Sequence, residues 1–419
     1  MQAIRAYLVL GVLLPVLNAC IEPFTPNIGE SEGYLVINGT VTDEEGYQFA
    51  EISRTSSYSD REYFPLNECE VKVIDGQGNI FIMENYDNGQ YRTWMDKQYL
   101  QKGNRYMLQV ICDGKTYESE YDSLLPCPDI DSIYYKEISI EPDDPTETSK
   151  TGLQFYIDYD ATGDYAENYR WEAVETWEYN AEERIFLIYN GIKFDEHDSM
   201  YKLDIRILSI FNENDRKTMD SLYTCWITRE VNSIYTYTSH QKIDKKVSGL
   251  PLYVVTNKSN RLTIKYSILI KQLTLSSTAF NYWNQLQTQS QENGGLYETQ
   301  PYQLKGNIKC LDDEEENVIG LFSASSVRTK RFTTSIHMNR QNYYCADIVE
   351  GWNRLLTYLW GGEIGQPPPN EDLLPVSPLY LHPFFDEMNS LRPDTFSLIN
   401  QSCIDCTLKG GTLTKPDYW

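Results

Sequence analysis

Between residues 33 and 126 the chain is written in short alternating runs broken by turn residues, and that pattern restricts it to β-sheet architecture. Tyr34-Leu35-Val36-Ile37-Asn38-Gly39-Thr40-Val41 is rich in β-branched residues and reads as a first strand, with 49–58 as a second. Cys69-Glu70-Val71-Lys72-Val73-Ile74 alternates and runs into Asp75-Gly76-Gln77-Gly78, a turn from which 79–84 returns as a partner. Tyr91-Arg92-Thr93-Trp94 is a short strand, and Asp113-Gly114 is the tip of a hairpin between 106–111 and 115–119. A period of two places alternate side chains on opposite faces, so each run can bury one face and wet the other. About seven short strands in about ninety residues predict an N-terminal β-sandwich of immunoglobulin-like or transthyretin-like kind over 33–126.

The character then changes. Pro126, Pro128 and Glu141-Pro142-Asp143-Asp144-Pro145 mark 127–151 as a linker region. A larger β-rich domain is expected over 152–419, since a chain of 419 residues exceeds what one core usually organises. Leu153-Gln154-Phe155-Tyr156-Ile157-Asp158-Tyr159 is its first strand and 168–179 the aromatic partner of that strand. Further strands are expected at 223–237, 253–255, 262–275, 303–309 and 318–323, with acidic residues 312–316 as a hairpin tip between the last two. Ser276 is placed to cap a helix near 277–292, because Ala279, Phe280, Trp283 and Leu286 share one helical face and Gly294-Gly295 ends it. From Gln366-Pro367-Pro368-Pro369 onward the tail reads as a surface wrap. The fold class is mainly β, a sandwich followed by a larger β-rich domain with one or a few helices.

The first twenty residues carry a different message. Arg5 precedes an almost unbroken apolar stretch from 6 to 17, closed by Leu17-Asn18-Ala19-Cys20. About a dozen apolar residues suit a secretory signal, whereas a spanning helix needs about 20. A small residue before a cysteine is what lipoprotein signal peptidase reads. The expectation is cleavage after residue 19, lipidation of Cys20 with palmitate-type chains, and a tether over 20–32. Two or three acyl chains anchor stably, at about 0.8 kcal/mol per buried CH₂.

Charge and cysteine then narrow the function. Removing 1–19 deletes only Arg5, which leaves 35 Lys+Arg against 61 Asp+Glu and a net charge of −26. Such a surface repels nucleic acid and anionic head groups. The 33 Tyr, with 8 Trp and 14 Phe, suit sheet packing, with a minority available to form a recognition face. Besides Cys20 there are Cys69, Cys112, Cys127, Cys225, Cys310, Cys345, Cys403 and Cys406. In an exported chain the single C-x-x-C of Cys403 and Cys406 reads as structural, bridged either internally or from one of the two to Cys225. The remaining cysteines read as buried thiols.

Candidate chemistry is sparse. His197, His240, His337 and His382 show no metal-ligand spacing. Asp313-Glu314-Glu315-Glu316 lacks the glycine and alternating oxygens of a calcium loop and reads as a solvated turn. Asp158 and Asp160 share one strand face, as an acid–base pair would, but an exposed strand face is the commoner reading. No phosphate loop, nucleophile elbow or dinucleotide fingerprint occurs, so no cofactor and no catalytic set are expected.

Several of these segments, taken in order, resemble a family of lipoproteins from Bacteroidota catalogued as domain of unknown function 4249. They are the lipobox cysteine, Leu35-Val36-Ile37-Asn38-Gly39-Thr40-Val41-Thr42-Asp43, Tyr169-Arg170-Trp171, and Gln272-Leu273-Thr274-Leu275-Ser276 with Tyr282-Trp283. Gly306-Asn307-Ile308 followed by Gly320-Leu321-Phe322-Ser323-Ala324-Ser325 continues the order. The ending Cys403-Ile404-Asp405-Cys406, Gly410-Gly411-Thr412 and Lys415-Pro416-Asp417-Tyr418-Trp419 is the most specific piece. The resemblance spans essentially the whole mature chain. It implies an outer-membrane lipoprotein of a kind often associated with a TonB-dependent β-barrel transporter, an accessory subunit that captures or gates substrate there. With no catalytic set in the sequence the chain reads as non-catalytic, with a small molecule, glycan or peptide as the ligand classes left open. The cell surface is favoured over the periplasmic face, although Glu22 is the only acidic residue close behind Cys20. The alternatives are an envelope structural or assembly factor, and a surface enzyme acting on glycan or peptide through Asp158 and Asp160.

Overall fold

The computed structural model describes residues 33–56, 62–141, 149–185, 187–195, 197, 200–240, 244–291, 304–338, 346–350, 380–385, 391–399 and 401–419. The signal segment, Cys20 and its tether lie outside the described residues, as do Cys345, Gly294-Gly295 and the proline run at 366–369.

The N-terminal strands are β1 (Leu35–Thr42), β2 (Gly46–Arg54), β3 (Phe64–Pro65), β4 (Glu70–Asp75), β5 (Ile80–Asp87), β6 (Gln90–Met95), β7 (Arg105–Cys112), β8 (Lys115–Ser119) and β9 (Asp122–Ser123). They form a rolled, sandwich-like sheet in the order β8-β7-β4-β5-β6-β2-β1. Alternation decides which side packs: Ile37, Ile52, Val73, Met95 and Leu108 meet in its core. The turns follow from local chemistry. Asp113 and Gly114 both take positive φ, as a two-residue hairpin requires. The Asp75 carboxylate accepts the Gln77 and Asn79 amides at 2.9 and 2.8 Å, which fixes the β4–β5 turn.

The next strands are β10 (Ile130–Ile140), β11 (Lys150–Asp160), β12 (Asn168–Asn180), β13 (Leu187–Asp195), β14 (Met200–Ile207), β15 (Thr224–Glu230), β16 (Tyr235–Thr238), β17 (Lys246–Thr256) and β18 (Lys265–Leu275). Helix α1 (Glu213–Asp220) precedes β15, and α2 (Ser277–Gln291) follows β18. The α2 helix is the one expected near 277–292, and Ser276 Oγ accepts the Ala279 amide at 3.3 Å. The short helix α1 is an addition to the expected elements; Asn212 caps it by accepting the Asn214 and Asp215 amides.

After α2 come β19 (Ile308–Cys310), β20 (Val318–Ile319), β21 (Phe322–Ser325) and β22 (Val327–Ser335). A three-stranded sheet, β10-β11-β17, faces a second sheet, β15-β12-β18-β22, with β16 also on β12. Phe155, Tyr159, Tyr169, Trp171, Tyr179 and Tyr266 fill the space between them. The region expected to be a linker is therefore mostly strand: β10 pairs with β11 along its length, because Ile130 and Ile133 face the core. Residues 168–179 do not pair with 153–159 either. They form the centre of the opposite sheet, between β15 and β18.

The larger correction concerns the boundary at 152. Strands β19, β20 and β21, expected within the C-terminal domain, return to the N-terminal sheet: β19 pairs antiparallel with β8, and β20 and β21 pair parallel with β1. Parallel neighbours need a crossover, and here the crossover contains most of the second unit, from β10 to α2. Phe322 and Ala324 bury in the N-terminal core, and fully burying a Phe is worth about 1.5–3 kcal/mol. The closure also needs two glycines. A Cβ on Gly306 would stand 1.5 Å from the Gly320 carbonyl oxygen, and one on Gly320 would stand 2.0 Å from that of Ile37. Asn307 then bridges the sheet ends, donating to the Phe322 carbonyl at 2.7 Å and accepting the Phe322 amide at 3.0 Å. The acidic segment 312–316 is consequently no hairpin tip between partners, since β19 and β20 pair elsewhere.

Toward the end of the chain lie backbone strands β23 (Ala346–Glu350), β24 (Tyr380–Phe385) and β25 (Leu391–Ile399), the last two within the expected surface wrap, and they join β13 and β14 in a further sheet. Of the pairings left open for the C-x-x-C motif, the structure forms Cys225–Cys406, bridging β15 to the final segment. Cys403 is disulfide-bonded as well, so the internal Cys403–Cys406 bridge is not made. Of the cysteines expected to be buried thiols, Cys127 and Cys310 are so, but Cys69 and Cys112 are not: they form a disulfide that ties the start of β4 to the end of β7.

Candidate functional site

The alternation that buries Ala50 and Ile52 on β2 turns Tyr47 and Phe49 outward, away from the core. Both are large apolar side chains left 44% and 48% exposed. Register extends the patch: Tyr47 stands opposite Trp94 of β6, and their rings meet edge to face at 5.2 Å. Arg92, opposite Phe49, lies over the rings of Tyr47 and Tyr86 at 4.4 and 4.0 Å. The Arg92 Nε donates to Glu84 at 2.8 Å, so the cation is neutralised where it sits. The outer face of β1, β2 and β6 is therefore an aromatic floor bordered by Asn38, Thr40, Glu51 and Gln90.

The second unit supplies a wall. Arg170 and Glu172 of β12 and Leu273 of β18 line the same open cleft as Tyr47 and Phe49, and its volume is about 410 Å³. Arg170 sits 3.8 Å over the ring of Trp283 from α2 and donates to Glu172. Burial pulls the Arg170 pKa down, and the Glu172 charge opposes that. On the floor, the Tyr63 hydroxyl donates to Glu51 at 2.6 Å, and burial together with this carboxylate pushes the phenol up to about 12.

Floor and wall are held in place by a buried junction. The Asp43 carboxylate accepts the Val327 amide at 2.7 Å and pairs with Arg328 at 3.0 Å. Gln272, opposite Trp171 on β18, accepts the indole N–H at 3.0 Å and donates to the Pro128 carbonyl at 2.9 Å. Thr274 donates to the Leu125 carbonyl at 3.2 Å and accepts the Ser326 amide at 2.9 Å. Buried polar groups that satisfy one another in this way set a defined geometry, so the cleft is preformed.

A separate cluster lies inside the second unit. Glu175 on β12 points between the sheets and is fully buried. It accepts Arg229 Nε at 2.6 Å, Arg261 at 3.2 Å, and the hydroxyls of Tyr253 and Tyr266 at 3.1 and 2.9 Å. Burial, with the Glu175 charge next, pushes Tyr253 up to about 12 and Tyr266 well above its ordinary value. Every lone-pair direction of the carboxylate is engaged by protein, which makes the cluster a fastening between sheets.

The residues singled out from sequence are dispersed. Asp158 accepts Ser132 Oγ at 2.7 Å and the Gly249 amide at 2.6 Å, whereas Asp160 accepts the Thr162 amide at 2.9 Å and faces Lys246 at 3.5 Å. Hydrogen bonds from Thr162, with Lys246 beside it, lower the Asp160 pKa. Both carboxylates are thus occupied in turn and strand contacts. Residues 312–316 fold onto β8: Lys115 pairs with Asp313 at 3.2 Å and Glu316 at 2.6 Å, and the Tyr117 hydroxyl donates to Glu316 at 2.8 Å. His240 meets Glu167 at 2.5 Å and His337 meets the Thr263 carbonyl at 3.1 Å; His197 is exposed, and the His382 side chain lies outside the described residues. Among the described residues no three His, Cys, Asp or Glu side chains gather in a metal-binding group, and none of the described helices is long and apolar enough to cross a membrane.

Sequence reading missed the floor and wall residues, although a signal for them was present. In β2 the inward phase (Ala50, Ile52) and the outward phase (Tyr47, Phe49) are both apolar, and a half-buried strand does not need that.

The model of the family described as Domain of unknown function (DUF4249) matches residues 21–331. The matched span ends within β22, short of the Cys403–Trp419 segment that is the most specific piece of the resemblance. Comparison with curated proteins returned no match.

Proposed function

This chain belongs to the family described as Domain of unknown function (DUF4249), and we propose that it is a lipid-anchored, non-catalytic binding subunit working beside an outer-membrane β-barrel transporter of the TonB-dependent kind. The observation that carries the binding role is the cleft, in which exposed rings form a floor and a paired Arg170–Glu172 forms a wall. A soluble surface leaves rings unpaired in such a cluster where a ligand or partner covers them. Support for the anchor comes from the apolar 6–17 stretch closed by Leu17-Asn18-Ala19-Cys20. The cell surface is the favoured side of the membrane. The acidic mature chain argues for a partner other than nucleic acid or bare anionic lipid. The carboxylates that could have formed a catalytic pair, Asp158 and Asp160, are engaged separately, which supports a binding role over hydrolysis.

The test is gentle detergent extraction of the tagged, lipidated chain, followed by mass spectrometry of what stays bound. A stoichiometric barrel protein is the expected result, together with release of the Cys20→Ala variant into soluble fractions. A chain that extracts alone overturns the transporter assignment. A deletion strain with a leaking envelope on every nutrient source points to the assembly role instead.

A further inference from the structure

We propose that the cleft between the N-terminal sheet and β12 is a binding site for a neutral saccharide, a ligand class that rests on the binding role argued above. The chemistry of the lining leads there by elimination. An extended peptide recognised by backbone pairing needs a free strand edge. None is offered by the floor strands: β1 pairs with β2 and with β20 and β21, and β2 pairs with β1 and β6. A helix in a groove needs a continuous apolar trough, yet Asn38, Thr40, Glu51, Gln90, Arg170 and Glu172 interrupt this one.

The charges decide the ligand's own charge. Arg92 is matched by Glu84, Arg170 by Glu172, and Glu51 carries the Tyr63 hydroxyl. The cations are thus matched and an anion finds no free partner there, while Glu51, held by a neutral hydroxyl, is suited to accept from further hydroxyls. What the cleft does offer is flat apolar rings with side-chain amides, hydroxyls and carboxylates around them. A pyranose ring has one face of C–H groups that packs on an aromatic ring and a rim of hydroxyls that both donate and accept hydrogen bonds. The volume of about 410 Å³ lies in the usual range of small-ligand sites. Phe49 lies in the pocket, and Tyr47, backed edge-on by Trp94, is the second platform. Gln90 and Asn38 supply amides, which can bond to paired hydroxyls as donor and acceptor. The junction through Asp43 and Arg328 keeps wall and floor apart before any ligand arrives, so little ordering cost opposes binding.

The experiment uses the detergent-solubilised full mature chain on an array of neutral gluco-, manno-, galacto- and xylo-oligosaccharides of two to six units, beside acidic glycans and a random peptide set. Calorimetry on the strongest neutral oligosaccharide follows. The expected result is selective retention of neutral oligosaccharides. Phe49→Ala and Gln90→Ala should each weaken binding about tenfold, a loss of about 1.4 kcal/mol. Ile82→Ala, on β5 away from the cleft, should leave binding unchanged. Phe49 is about half exposed, so its removal leaves the fold intact, and an unaltered melting transition verifies this. Retention of acidic glycans or peptides in preference, no retained neutral glycan, or binding indifferent to Phe49→Ala each overturn the proposal. Barrel co-purification is read separately: a barrel retained without glycan binding sinks the saccharide site alone, and glycan binding by a chain that extracts alone sinks the transporter reading alone.

Discussion

Replacing Glu175 with glutamine tests whether the buried cluster of the second unit fastens its two sheets through charge. Glu175 is fully buried and Arg261 nearly so, with 15% of its side chain exposed, whereas Arg229 is 54% exposed. Breaking a buried ion pair by removing one partner costs about 3–5 kcal/mol, because the surviving charge stays buried without compensation. The amide oxygen introduced by Glu175→Gln would still accept from the Tyr253 and Tyr266 hydroxyls, so the expected loss lies at the low end, about 3 kcal/mol. Arg229→Gln removes a half-solvated partner from the same carboxylate and should cost under about 1 kcal/mol. For a unit of this size each kcal/mol shifts the melting temperature by about 2–4 °C, so Glu175→Gln should lower it by about 6–12 °C. Urea unfolding at constant pH, followed by tryptophan fluorescence, is the assay, and Trp177 reports locally because Arg229 lies 5.1 Å over its ring. If Glu175→Gln costs no more than Arg229→Gln, the cluster is not held by a buried charge and the reasoning fails.

Three further outcomes can be checked. Non-reducing peptide mapping should recover Cys225 joined to Cys406; removing this link, which closes a loop spanning 181 positions, should cost about 2–5 kcal/mol in urea unfolding. Burial pushes the Cys127 thiol up to about 12, so iodoacetamide at about pH 8 should leave it unmodified in the native chain and label it promptly after denaturation. The Lys115 clasp should weaken in acid: hydrogen bonding to Lys115 lowers the Asp313 pKa, and for Glu316 burial pushes upward but Lys115 and Tyr117 prevail and lower it. A carboxylate with a depressed folded-state pKa stabilises above its unfolded value and loses that contribution as pH falls through the folded one. The stability difference between wild type and Lys115→Met should therefore be whole near neutrality, begin to shrink below the ordinary values of 4.5 and 3.8, and vanish only once the pH lies below the lowered folded-state values; a difference that does not shrink with falling pH contradicts the assignment.

What could be read from the sequence depended on the range of the interaction. Strands whose evidence is local were legible: Leu35–Thr42, Glu70–Asp75 and the hairpin at Asp113-Gly114 are specified by alternation and by turn residues a few positions away. The helix at Ser277–Gln291 was legible for the same reason, with its cap and apolar face adjacent. Partner choice was not. Nothing local to Asn168–Asn180 says that it pairs with Lys265–Leu275 and not with Lys150–Asp160, since all three alternate and all three bury aromatic rings. The prolines around 126–145 suggested a linker, but Ile130 and Ile133 had core to fill, and tertiary burial outweighed the local punctuation.

The same distinction explains why the frame was legible through resemblance and the candidate site was not. Gly39, Asn307, Gly320 and Phe322 close the N-terminal sheet, and Asp43 and Thr274 tie it to the second unit. These residues occur in the segments that resemble the family, and the structure brings them together at one junction. Tyr47, Phe49, Arg92 and Trp94 belong to none of those segments except as neighbours in space. Each means little alone, because single exposed rings are common on folded proteins. They become a candidate site only when the β2–β6 register aligns them and Arg170 and Glu172, more than seventy positions further along, close over them. A site assembled by register and crossover leaves no spacing in the sequence, so the saccharide cleft could be found only after the return of Phe322–Ser325 to Leu35–Thr42 had fixed where the two units meet.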